Sequence, residues 1–96
     1  MRRIRLNGNK MTEKEMAHKY LRKKLNLPDH YGDNLDALWD CLVTDYTPQK
    51  IVLENTEKIV NGMGSYGEAL IMLLKEVAEE NGFLELEIEN EENLDI

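Results

Sequence analysis

Asp36 and Asp40 stand four residues apart, with Cys41 beside the second and His30 a short way before the first. Two carboxylates at that spacing share one face of a helix and could touch Mg or Ca, but such ions take six or more oxygen ligands. Cys41 and His30 could in principle form a nucleophile and base. Cys41 falls beside the apolar stripe of Leu38 and Leu42, however, so a buried, inert thiol is expected. One cysteine and two histidines are too few for a thiolate zinc site. Gly62, Gly64 and Gly67 follow a short helix rather than a strand and have no Lys-Ser or Lys-Thr partner, so no phosphate loop is expected. Nothing here reads as an active site, and no metal or cofactor is expected. What remains is a binding surface.

The pair is a poor device for stability. Like charges at this spacing cost a helix roughly 0.2–0.5 kcal/mol, and Asp40 also sits toward the negative end of the helix dipole. The plain alternative is a solvated face on a small acidic protein.

The elements that must position these residues are clearly signalled. Pro28 and Gly32 bracket a turn-rich entry, and Asn34 caps a helix predicted over residues 35–43. Leu35, Leu38, Trp39 and Leu42 recur at i, i+3, i+4 and i+7, one stripe facing a core. Upstream, residues 3–7 alternate Ile4 and Leu6 with Arg3 and Arg5, a strand closed by the Asn7-Gly8 turn. Thr12 and Glu15 read as a capping box, with Met11 and Met16 as a hydrophobic staple. The helix they open should bury Met16, Ala17, Tyr20, Leu21 and Leu25, turn Lys14, His18, Arg22 and Lys23 largely outward, and stop before Pro28.

After a polar connection over residues 44–50, Ile51, Val52 and Leu53 form a run without alternation, as in a parallel strand buried on both faces. Asn55 or Thr56 caps a brief helix through Val60, ended by Asn61, Gly62, Met63 and Gly64. Ser65 and Glu68 suggest a second capping box for a helix burying Tyr66, Ala69, Leu70, Leu73, Leu74 and Val77 and closed by Gly82. Leu84, Leu86 and Ile88 alternate with Glu85, Glu87 and Glu89 in a last strand. The order β-α-α-β-α-α-β predicts an α/β fold whose small parallel sheet is connected through helices. Residues 1–89 should form one domain, and residues 90–96 an acidic, disordered tail.

Charge is unevenly spread. The net charge of −7 divides into about +7 over residues 1–24 and −14 over residues 25–96. The acidic part should repel nucleic acid and attract a basic protein. No apolar run approaches the ~20 residues of a bilayer span, and the basic start lacks the pattern of a secretory signal. The expected compartment is the cytoplasm.

The string NLDALWDCL after a HYG turn closely resembles the signature of the barstar family of intracellular ribonuclease inhibitors. The resemblance joins an N-cap, an Asp pair, a Trp and a Cys in one register, and extends more loosely over nearly the whole chain. It implies a two-layer fold of three parallel strands and four helices, without enzymatic activity. It implies as partner a basic, extracellular-type, barnase-like ribonuclease, bound one to one by a monomer, with no direct contact to nucleic acid or membrane.

On that likeness His30, Tyr31, Gly32, Asn34, Leu35, Asp36, Trp39, Asp40, Val43 and Thr44 form the partner surface. Asp40 is its central acid and Asp36 the flanking one, their carboxylates standing where RNA phosphates would meet the nuclease. Glu76 and Glu80 add interfacial acids from the last helix. A cis peptide near Thr47-Pro48 is also implied. His30 replaces a family tyrosine, Val43 a threonine and Phe83 a second cysteine, and the loop over residues 44–50 differs in length and lacks a tryptophan. These departures bear on partner choice. Two other readings stay open: an acidic interaction module with a different protein partner, and an RNA-binding regulator using the basic first helix, which lacks interleaved aromatics to stack bases.

Overall fold

In the first strand, β1 (Arg2–Asn7), the alternation sends Ile4 and Leu6 into the core and leaves Arg3 and Arg5 in solvent. The computed structural model describes residues 1–89, so the acidic tail lies outside the described residues. β2 (Gln49–Glu54) is the central strand, flanked by β1 and by β3 (Leu84–Glu89), and both pairings are parallel. The two crossovers carry α1 (Lys14–Leu25) with α2 (Leu35–Val43), and α3 (Thr56–Met63) with α4 (Ser65–Glu80). A single turn of 3-10 helix at Gly8–Lys10 follows β1. The predicted order and the three-stranded parallel sheet are both present.

Register explains how the sheet uses its faces. Ile4, Ile51 and Leu86 align across it, as do Leu6, Leu53 and Ile88, on the side that meets the helices. The opposite side carries Arg3, Arg5, Lys50, Glu54, Glu85, Glu87 and Glu89. There Arg5 pairs with Glu54 and Glu89, and Lys50 with Glu87 at 2.7 Å. Val52 is buried on this charged side between the register positions of Arg5 and Glu87, which is why the Ile51 to Leu53 run shows no alternation.

The helix starts differ from expectation in instructive ways. Neither capping box forms. Glu13 occupies the N-cap of α1 without a side-chain hydrogen bond, Thr12 Oγ1 faces Met16 Sδ at 3.7 Å, and Met16 is 40 % exposed while Met11 is fully buried. The cause lies in α3. A Cβ on Gly62 would stand 2.5 Å from the Thr12 carbonyl oxygen, so this glycine permits a close backbone approach at residue 12. Gly62 therefore packs within α3 instead of ending it. The break falls at Gly64, whose φ of +59° no ordinary side chain favours. Gly64 also takes the N-cap of α4, its carbonyl accepting the Glu68 amide at 3.1 Å, which puts Ser65 inside the helix. Along α4, Leu70, Leu73, Leu74 and Val77 are buried as predicted, but Ala69 is exposed and Tyr66 half-buried. The peptide bond at Thr47-Pro48 is trans, contrary to the family-based expectation.

Asn81, not Gly82, ends α4, and its buried amide fastens three segments. Nδ2 donates to the Leu42 carbonyl at 3.0 Å and the Asp45 carbonyl at 2.8 Å, while Oδ1 accepts the Phe83 amide at 2.9 Å. The end of α2 is thereby fixed to the last strand. Asn81→Ala should destabilise the protein by about 2–4 kcal/mol, since buried backbone groups lose their partners at about 1–3 kcal/mol each. Urea unfolding checks this, and a change below about 0.5 kcal/mol would mean that water replaces the amide at no cost.

Candidate partner-binding face

Helix α2 forms where its sequence signals placed it. Asn34 Oδ1 accepts the Ala37 amide at 2.8 Å, and the Asn34 backbone stays extended, as an N-cap requires. Leu38 and Leu42 are fully buried, with Leu35 and Trp39 half-buried at the stripe's edge, so the opposite face turns outward. On it Asp36 and Asp40 are exposed, and neither carboxylate enters an ion pair or side-chain hydrogen bond among the described residues. Thr44 is exposed and donates its hydroxyl to the Asp40 carbonyl at 2.7 Å, while Val43 is half-buried. Glu76 and Glu80 are exposed on α4, which packs against α2.

The loop between α1 and α2 completes the face. His30 and Gly32 are exposed, and together with Tyr31, Asp40 and Thr44 they line an open cleft of about 760 Å³ floored by Leu25, Leu27 and Ala37. Asn34, Leu35, Asp36, Trp39, Val43, Glu76 and Glu80 lie outside that cleft. The predicted residues thus divide into a cleft group and a surrounding group.

Tyr31 is placed differently from its neighbours. It is only 4 % exposed, and its hydroxyl points inward to His18 Nδ1 at 2.6 Å. It shapes the loop from below instead of presenting a phenol to solvent.

Electrostatics within the cleft argue against nucleophilic chemistry. Burial and then the Asp40 charge push the Cys41 thiol above its ordinary value, the reverse of what a reactive thiolate needs. Cys41 is half-buried rather than fully buried. At the cleft's far end, burial pushes Asp45 up but is outweighed by bonds from the Thr47 amide at 3.0 Å, the Thr47 hydroxyl and the Gln49 amide at 3.2 Å. These hold its carboxyl below the usual range. Among the described residues no group of three or more His, Cys, Asp or Glu could hold a metal ion, and no helix is long and apolar enough to cross a membrane.

A family model described as "Barstar (barnase inhibitor)" matches residues 1–92 of this chain. The chain belongs to the barstar family. A protein of Bacillus subtilis (strain 168) named "Putative ribonuclease inhibitor YrdF" is 42 % identical over 82 residues, covering 83 % of this chain and 89 % of that one. The barstar-family fold and the acid-bearing helix therefore come together in one molecule.

Sequence reasoning missed the residues beneath this face. His18 was expected outward, yet it is 3 % exposed and bonded at both ring nitrogens, to Tyr31 as above and to the Tyr66 hydroxyl through Nε2 at 2.7 Å. The signal was present, because His18 stands at i−3 from Leu21 and i−7 from Leu25, in phase with the buried stripe. Arg22, one turn on, is half-buried and reaches the loop.

Burial pushes the His18 imidazole below its ordinary value; nearby Asp33 opposes that shift and Lys14 adds to it. Burial also raises the Tyr31 and Tyr66 hydroxyls, so both stay protonated as hydrogen-bonding groups. With its folded value depressed, His18 gains its proton more readily in the unfolded chain. Stability present above about pH 6.5 is then lost as pH falls through the depressed value. His18→Gln should flatten that part of the profile, measured by urea unfolding between about pH 7 and pH 5. An equal acid loss in wild type and variant would assign the effect to other groups.

Proposed function

We propose that this protein inhibits a basic, barnase-like ribonuclease in a one-to-one complex formed in the cytoplasm. The loop over residues 29–34 and the outward face of α2 enter the nuclease's active site, and their carboxylates occupy the places of RNA phosphates. One observation carries the reading: Asp36 and Asp40 are exposed and, among the described residues, unpaired, on a helix whose dipole favours Asp36 in its first turn but not Asp40. In a helix only nine residues long, Asp40 lies near the unfavourable C-terminal end and repels Asp36 at i−4, so helix stability gives no reason to have both. Family membership supports the ribonuclease as partner, and the relative's printed name points the same way.

Around the pair, the surface offers several kinds of contact. Trp39 and Leu35 contribute half-buried apolar edges, while Glu76 and Glu80 extend the negative potential from α4. His30 and Gly32 border the cleft with Asp40, so a cationic side chain entering there meets a carboxylate beside an apolar floor. That combination suits arginine, whose aliphatic stem and planar head want different surroundings.

Asp40→Ala tests the proposal because its two expected effects have opposite signs. In the free protein, removing Asp40 should leave stability unchanged or raise it by about 0.2–0.5 kcal/mol. In the complex, the facing cation would stay buried without its partner, so affinity should fall by about 2–5 kcal/mol. That range comes from interfacial charge pairs, the barnase–barstar complex among them, and is borrowed from there. Thermal unfolding and inhibition of a barnase-like ribonuclease, read on the same variant, decide it. A destabilised variant that inhibits normally would make Asp40 a structural residue.

A further inference from the structure

Three groups of one arginine's surroundings belong to the loop that borders the cleft. Arg22 Nη2 donates to the Tyr31 carbonyl at 3.1 Å and to Asp33 Oδ1 at 2.6 Å, and its guanidinium lies 5.6 Å from the centre of the Tyr31 ring. One turn earlier on the same helix, His18 holds the Tyr31 hydroxyl. Tyr31 is thus gripped by α1 at its hydroxyl, its ring and its carbonyl. Asp33 adopts a left-handed conformation with φ +57°, uncommon for a residue with a side chain, and its carboxylate is the group that Arg22 holds. From the other side, Asn34 Nδ2 donates to the Gly32 carbonyl at 3.2 Å, and the Tyr31 amide donates to the Pro28 carbonyl at 3.0 Å. With these contacts in place, His30 and Gly32 are exposed.

Arg22 itself does not line the cleft. Its side chain and that of Asp33 are both partly exposed, so the ion pair contributes little to global stability. Its consequence is local: it selects one arrangement of a short loop. We propose that Arg22 is a positioning residue of the inhibitory surface, acting through Tyr31 and Asp33 to hold the loop over residues 29–34 in its binding conformation before the partner arrives. The assignment rests on the ribonuclease reading, and it deepens that reading by placing a cation among the determinants of an acidic surface. A loop already ordered loses less entropy on binding, and differences of this kind are expressed mainly in the dissociation rate.

Electrostatics alone predicts the opposite sign, which makes the test sharp. Arg22→Gln removes a positive charge from the inhibitor, so charge steering would speed association with a basic ribonuclease and tighten binding. Positioning instead predicts dissociation faster by roughly 10-fold, the cost of ordering one or two freed side chains, with weaker binding overall. Arg22→Lys, which keeps the charge but loses the planar fork, should recover only part of the loss. The same variants are examined without partner by hydrogen exchange, where the amides of residues 31–34 should exchange faster in Arg22→Gln while the core strands and the melting temperature stay unchanged.

Tighter binding by Arg22→Gln would overturn the assignment, because net charge would then be what matters. Unchanged exchange over residues 31–34 would overturn it as well, because Arg22 would then not hold the loop. Failure of the wild type to bind any barnase-like ribonuclease would remove the reading beneath the affinity argument. The exchange experiment separates that failure from a failure of the clamp.

Discussion

Parallel pairing is the constraint on which the arrangement depends. Two parallel strands cannot be joined by a tight turn, so each of the two connections must travel the length of the sheet and return. One sheet face is given over to arginine, lysine and glutamate, so the packed helices meet the other, where Ile4, Leu6, Ile51 and Leu53 wait. The first crossover therefore becomes a helix, an exposed loop and a second helix. The loop and the outer face of that second helix are where recognition can be placed, because, Tyr31 apart, neither is needed to fill the core.

Placing recognition there carries a structural demand that the polar interior meets. The loop over residues 28–34 has few apolar side chains of its own to bury, so its shape comes from hydrogen bonds to α1 and from the Asn34 cap. His18 joins this loop to α4 through two tyrosine hydroxyls, and Asn81 joins the far end of α2 to β3. The acid-bearing helix is thus anchored near both ends by buried polar side chains, while Asp36 and Asp40 have no ion-pair or side-chain hydrogen-bond partner among the described residues. On the proposed reading, local stability and recognition are carried by different residues, and this separation allows like charges to persist on so short a helix.

How much of this could be read from the chain alone varied with the kind of signal. Element order was legible because each strand and helix carries its own periodicity, and the start of α2 was legible to the residue because its Asn34 cap and apolar stripe agree. The capping boxes at Thr12 and Ser65 failed because tertiary packing overrode them: Gly62 presses against Thr12, and Gly64 takes the N-cap position of α4. His18 was misplaced because a polar residue in phase with a buried stripe is normally assigned to solvent. Only the tyrosines that approach it from residues 31 and 66 reveal why it can be buried. Asp36 and Asp40 were legible as exposed acids. Adding Glu76 and Glu80 to them rested on the family resemblance, because the packing of α4 against α2 is encoded by no local pattern.

The central claim is that the loop and α2, and not the basic face of α1, meet a ribonuclease. Cross-saturation in NMR tests it most directly, with this protein isotopically labelled and an unlabelled barnase-like ribonuclease as the irradiated partner. The account predicts signal loss at the amides of residues 30–44, together with the stretch of α4 around Glu76 and Glu80. Signal loss confined to the lysine-rich face of α1, with residues 30–44 unaffected, would contradict it.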